Sequence, residues 1–470
     1  MAAWLKSLGL LCVASLLAFG GFAWKRKVDY DRLVRPSLQL GETASKQTVL
    51  NADESPGRAK QSLSSWNRFR GPNGSGYIAQ SNAPLSWNQD ENVGWQVELN
   101  GKGSSSPVLS ESYVFVTTYT GEREDNGNMR DLTRYLSCYS RMNGELVWNC
   151  PFESRAFEDP FVGAGITEHG YATSTPVLSP DAVFVFLGKS GVAKVDFGGE
   201  IIWQKNVGNG SNPKGWGSTA SPILFGNMVI VNAAEESSSI IALHQDDGRE
   251  IWRAEGAKLP FTFSTPALVQ TPDGQSELVI AVPGEVWGLN PNNGKLLWYA
   301  KSPIGGNVSP CMLTRGDHVV AFGGFRDTGS ICIRAGGRGN VTNSHVVWQS
   351  KLTSYISTPV IVDGRAYWVD YQGKYFCQDI DTGELLARAR MPSELEGGNP
   401  VYSSMVAAGD KLILQSRWSE VFILDASQPD LKVLHHNTLN DNSMSNATPA
   451  LSDSQIFLRS NERLTCIQAD

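Results

Sequence analysis

Eight residues in loop-like segments carry side chains that could bind or catalyse: His169, Tyr171, Trp216, Glu235, Arg326, Asp370, Arg417 and Trp418. Imidazole and carboxylate groups suit general acid–base work, guanidinium groups hold anions, and indole faces receive extended ligands. None of the eight lies in a catalytic spacing, because G-x-S-x-G, H-E-x-x-H and the Walker loop are all absent. The histidines (169, 244, 318, 345, 435 and 436) show no metal-ligand spacing beyond the adjacent pair. "DIDTGE" at 379–384 has too few regularly spaced oxygens for an EF-hand loop. "GPNGSG" at 71–76 has the glycines of a phosphate cradle without the strand and helix that would frame one, so it reads as a turn cluster. The seven cysteines contain no C-x-x-C, and four sit in strand-like runs, which suits buried small hydrophobes better than zinc or redox chemistry. The expectation is therefore a binding surface, with no catalytic residue and no resident metal.

Such residues need a rigid frame, and the frame is written as a repeat. "NNGKLLW" at 292–298 echoes "MNGELVW" at 142–148, "FGGEIIW" at 197–203 and "DDGREIW" at 246–252, with a fainter "DTGELLA" at 381–387. A second phrase, a hydroxyl residue followed by proline and alternating apolar residues, places prolines at 107, 176, 222, 266, 310, 359 and 449. "YSSMV" at 402 is in phase, with Ser404 where proline is expected. The period of about 45 residues matches a four-stranded propeller blade, and eight phases predict eight blades. The last blade lacks a fourth strand, and "NVGWQVEL" at 92–99 is predicted to supply it, closing the ring.

The turn glycines supply the positive φ of a tight turn. The tryptophans (Trp95, Trp148, Trp203, Trp252, Trp298 and Trp348) are expected to dock between neighbouring blades. Burying each indole contributes about 4–6 kcal/mol as an upper bound. Blades six and seven lack this tryptophan, so their junctions are expected to be softer.

Composition agrees with an all-β, turn-rich chain: 41% hydrophobic and 19% charged, with 47 glycines and 14 tryptophans among 470 residues. The net charge of −7 argues against a nucleic-acid partner. Residues 7–24 form an uncharged run followed by Lys25, Arg26 and Lys27. This reads as an apolar helix, a signal peptide or membrane anchor over 1–27, then a flexible linker over 28–64 and the propeller over 65–470. An exported, envelope-located protein tethered to the membrane by its N-terminal segment is expected.

The Gly-turn-Trp phrase resembles the tryptophan-docking repeat of the quinoprotein alcohol dehydrogenase superfamily, whose propellers have eight blades. "WNRFRGPNGSG" at 66–76 and "HGYATSTPV" at 169–177 resemble exported bacterial PQQ-repeat propeller proteins. That superfamily also holds non-enzymatic members, the B-type lipoproteins of the outer-membrane assembly machine. Its enzymes imply PQQ, a calcium held by Glu, Asn and Asp, and a ring of adjacent cysteines. Here the nearest cysteines, 138 and 150, are twelve apart, and no acidic cluster matches the calcium site by motif. The resemblance implies a non-catalytic scaffold that binds a protein or peptide through its long-loop face. A PQQ- and calcium-dependent oxidoreductase is the alternative. The links 118–135 and 149–172 are the longest expected loops of that face.

Overall fold

The computed structural model describes residues 66–154, 157–392, 400–418, 420–439, 441 and 443–469. The apolar run and linker lie outside these residues. Among the described residues no helix is long and apolar enough to cross a membrane.

Eight antiparallel sheets make the eight blades of a propeller. Blade two shows why the chain folds this way. Its second strand, Ala182–Phe186, reads AVFVF and is buried along its whole length, because neighbouring blades cover both of its faces. Its outermost strand, Ile201–Lys205, buries only Trp203 and leaves Gln204 and Lys205 in water. The outermost strand of blade eight comes from the other end of the chain: Val93–Glu98 runs antiparallel to Arg463–Gln468, with Trp95 opposite Cys466. Two sheets carry a fifth, parallel strand, Tyr77–Ile78 on blade seven and Gly339–Asn340 on blade four.

A chain of eight hydrogen bonds closes around the axis. The backbone N–H of Ser106 donates to Thr175 Oγ1, Thr175 to Ser221 Oγ, Ser221 to Thr265 Oγ1 and Thr265 to Cys311 Sγ. Cys311 donates to Thr358 Oγ1, Thr358 to Ser404 Oγ, Ser404 to Thr448 Oγ1, and Thr448 back to Ser106 Oγ at 3.0 Å. The hydroxyl-proline phrase is thus a circular belt, one residue per blade. Two sequence readings are corrected by it. Ser404 occupies the hydroxyl position and Met405 the proline position, one residue later than expected. In blade five the belt member is Cys311, two residues after Ser309, which the phrase would have chosen.

Residues 66–76 plug the axis beside the belt. The Arg70 guanidinium donates to five backbone carbonyls: Gly74, Ser75, Thr358, Pro359 and Met405. It therefore ties the plug to the first strands of blades six and seven. Burial lowers its pKa to about 10, and it stays charged at neutral pH.

Between blades, an indole lies on the turn glycine of the next blade: Trp95 on Gly144, Trp148 on Gly199, Trp203 on Gly248, Trp252 on Gly294 and Trp348 on Gly383. Each indole N–H also reaches a carbonyl of that turn, at 2.9–3.1 Å. At Gly248, φ is +67° and a Cβ would stand 2.7 Å from the Trp203 ring, so no other residue fits without displacing the indole.

Trp298 departs from the expectation. Its N–H donates at 2.7 Å to Glu277 of its own blade. The final turn of blade five is long (335–345) and offers no glycine seat. Instead it sends Arg338 to Glu277 and pairs Gly339 beside Trp298. The six cysteines from Cys138 to Cys466 are buried and unpaired.

Candidate functional site

In a four-stranded blade the links from strand two to three and from blade to blade emerge at one end. The belt residues stand just before each innermost strand, at that same end. They line a cavity of about 350 Å³ on the propeller axis. Around it stand Phe69 from the plug and Trp216, Phe263, Tyr355 and Tyr402 from the long links. Trp216 lies 5.3 Å from Phe263, and Tyr355 5.3 Å from Phe325, so the mouth is a crescent of aromatic rings.

His169 ends the short helix Ile166–His169 and lines this cavity. Its Nδ1 is 2.8 Å from Thr173 Oγ1. Burial pushes its pKa down to about 4, so the ring is neutral at physiological pH. Glu168, the one charged residue of the lining, forms an ion pair with Arg417 at 2.6 Å. The Arg417 guanidinium lies 4.1 Å over the Tyr402 ring and 5.8 Å from that of Trp418, which is itself well exposed.

Trp216 packs on Gly165 of the 149–172 link, where a Cβ would meet the indole, and the Lys214 ammonium lies 4.6 Å from the ring centroid. Arg326 is exposed on the rim, 6.0 Å from the Phe325 ring, and is held at a φ of +79°.

The other expected residues are elsewhere. Asp370 accepts from the backbone N–H groups of Gln372 and Lys374, so its carboxylate is spent shaping its own turn. Tyr171 donates to the Asp159 carbonyl at 2.6 Å and pins the 149–172 link. Glu235 is buried beside the cavity rather than in it. It accepts from the N–H of Asn212 at 2.6 Å and from the Asn212 side chain.

Glu235 belongs to a polar cluster between blades one, two and three, around a cavity of about 20 Å³. Arg134 meets Glu158 at 2.9 Å and Lys189 meets Asp159 at 3.2 Å. Among the described residues neither Glu235 nor Glu236 makes an ion pair of its own. Burial drives both upward, to about 8 and about 7, and the neighbouring carboxylates add to the shift. Glu236 Oε1 accepts from Ser218, and its Oε2 has no partner among the described residues. Together the two glutamates anchor the 206–218 link that carries Trp216.

The expected 118–135 loop is mostly a hairpin: Tyr113–Arg123 and Met129–Ser140 run on as paired strands, leaving only the tip, 124–128. Sequence reasoning missed Glu236 and Lys189, which lie in the one-turn helices Ala234–Ser237 and Gly188–Ser190, and Arg134, in the middle of the strand Met129–Ser140. It also missed the belt hydroxyls, although the repeated Ser and Thr before proline were visible.

The profile of the outer membrane protein assembly factor BamB family matches residues 166–336 and 269–430, more than half of the chain. The chain belongs to this BamB family. The assembly factor BamB of Yersinia pestis is 24% identical over 260 residues, which cover 49% of this chain and 60% of that relative. The crystal structure of BamB from Moraxella catarrhalis covers 80% of this BamB-family chain and 99% of its own, with a TM-score of 0.54 and 12% identity. A europium-containing methanol dehydrogenase aligns over 84% of this chain and 89% of its own, with a TM-score of 0.57 and 10% identity. At such identities the two structures establish the shared fold.

PQQ and calcium can be tested against the donor set of the axial cavity. PQQ is a compact anionic quinone bearing carboxylates, yet no lysine or arginine lines the cavity wall, Lys214 and Arg326 stand only on its rim, and the wall's single carboxylate, Glu168, is already paired. Among the described residues no group of His, Cys, Asp and Glu is arranged to hold a metal. These residues do not fit that pair of cofactors.

Proposed function

We propose that this chain is a non-catalytic scaffold of the cell envelope that binds a protein partner through its long-loop face. The observation that carries the reading is the chemistry of that face. Its axial cavity is walled by hydroxyls and aromatic rings, while its titratable residues are committed to structure: His169 is neutral and Glu168 is paired. A rigid ring presenting aromatic loops suits recognition of another chain better than acid–base or redox work. Membership in a family described by outer membrane protein assembly supports a protein partner, and the apolar run at 7–24 supports the envelope location.

A photo-crosslinking amino acid placed at Phe157, exposed on the 149–172 link, tests this in the native host. Its control is the same probe at Met142, exposed in a turn at the opposite end of blade one. A discrete protein adduct at position 157 and none at 142 is expected. Adducts only at 142, or at neither, refute the reading. The oxidoreductase alternative has its own measurement, in which the full chain is equilibrated with PQQ and calcium. An unchanged spectrum and melting temperature are expected, whereas a quinone band with a raised melting temperature would establish the alternative.

A further inference from the structure

The belt has spent only part of its hydrogen-bonding capacity. Each of its seven hydroxyls and the Cys311 thiol accepts one backbone N–H. None of the eight donates its own hydrogen to an acceptor among the described residues. A hydroxyl carries one donor besides its acceptor positions. All eight side chains are at least nine-tenths buried and line the axial cavity. The result is a crown of donors pointed at space large enough for an organic group and too large for a lone ion. A group rich in carbonyl oxygens would satisfy them. The wall also holds a complementary acceptor, Asn446 Oδ1, which has no partner among the described residues.

The rim adds charge. Lys214 stands over Trp216 and Arg326 beside Phe325, and neither makes an ion pair among the described residues. Arg326 is a non-glycine residue in left-handed conformation, a strained backbone that glycine would adopt freely. Its neighbour Asp327 folds back over Gly305. Two cations on aromatic faces, unpaired among the described residues, make this rim locally complementary to carboxylates.

We propose that the axial cavity and its rim bind an extended acidic polypeptide segment. Its main-chain carbonyls accept from the crown, an apolar or aromatic side chain packs among Trp216, Phe263, Tyr355 and Tyr402, and its carboxylates meet Lys214 and Arg326. This rests on the long-loop face being a protein-binding surface, and it names the chemistry of the partner. A neutral saccharide is less well matched, because it brings no carboxylate to the two rim cations, Lys214 and Arg326.

The test uses the purified full chain on an array of random short peptides, with a glycan array beside it. Bound peptides are expected to be enriched in Asp and Glu next to Phe, Tyr or Leu. Each of Lys214→Glu and Arg326→Glu should weaken the best peptide about tenfold, with unchanged melting temperature. Lys295→Glu, in a turn at the opposite end, should have no effect. The same peptide should slow maleimide labelling of Cys311, the one cysteine that lines the cavity. Enrichment in Lys and Arg, full binding by both charge reversals, or binding to glycans with none to peptides overturns the proposal. An adduct at position 157 without acidic preference on the array sinks this inference and leaves the wider reading standing. Absence of both sinks both.

Discussion

At the junction of blades three and four, Trp252 lies on the Gly294 turn and donates to the Pro291 carbonyl. At the next junction Trp298, with the same sequence phrase, turns into its own blade and fastens Glu277. The difference lies in the receiving partner. A short glycine turn gives an indole a flat seat, while the longer 335–345 turn of blade five fills that place with its own backbone and Arg338. The other junctions without an indole are fastened by further means. Between blades six and seven, the hydroxyls of Tyr367 and Tyr375 donate to the carbonyls of Ala426 and Pro429. Between seven and eight, the N-terminal segment acts as a strap: the Trp87 backbone N–H donates to Asn437 Oδ1, and Ser81 and Asn82 reach the carbonyls of Ser452 and Asp453. A junction can therefore be tight without the repeat's tryptophan, provided some buried donor finds the next blade's carbonyls.

The strap junction offers the largest effect. Removing residues 1–64 should leave the thermal transition in place. Removing 1–100 takes away the plug, the strap and the outer strand of blade eight, and should abolish cooperative unfolding. Equal transitions for the two truncations would break the comparison at once.

Next in size are the two tryptophans themselves. Trp252→Phe loses one hydrogen bond to a neutral carbonyl, about 1 kcal/mol by denaturant titration. Trp298→Phe removes a donor from a buried carboxylate, and should cost about 1.5–3 kcal/mol. A reversed order would mean that the Gly336 N–H and Arg338 hold Glu277 without the indole.

Glycine substitutions sharpen the same contrast. Gly248→Ala meets both a positive φ and the Trp203 ring, whereas Gly284→Ala has a φ of +76° and open space around its Cβ. The first should cost about 2–3 kcal/mol and the second about 1 kcal/mol.

The smallest effect is the pH dependence of the polar cluster. Glu235 and Glu236 have folded pKa values raised above their unfolded value, so the folded state binds more protons. Their contribution is full below the unfolded pKa and is lost as pH rises through about 7 to 8. His169, depressed to about 4, works oppositely, but only below its unfolded pKa of about 6.5. Between pH 6.5 and 8.5 the melting temperature should therefore fall as pH rises, and Glu235→Gln with Glu236→Gln should flatten that slope. A rising slope would contradict the assignment.

Much of this frame was legible before any coordinates, because a repeat marks its own period. The blade count and the seats of Trp148, Trp203 and Trp252 follow from phrases that recur intact. The seat expected for Trp298 fails although its own phrase is intact, because the next blade's turn, "AGGRGNVTNSH" at 335–345, is long. Ser404 was placed one residue off because counting prolines weights the residue that is missing there rather than the hydroxyl that is present. The cluster around Glu235 was half seen. Its partners Lys189, Asp159 and Asn212 come from other blades and links, and burial that depends on distant segments leaves no local signal. Asp370 was chosen for its type, yet an Asp three residues before a glycine more naturally caps its own turn.

The central claim is that the eight blades close on one axis through the belt. Amide hydrogen exchange resolved at single residues tests it at the closing link, where the Thr448 N–H meets Ser106 Oγ. Closure predicts that Thr448 is protected as strongly as Thr175 and Ser221, which sit between consecutive blades. Rapid exchange at Thr448 with protection elsewhere in the belt would mean an open array, and would contradict the account.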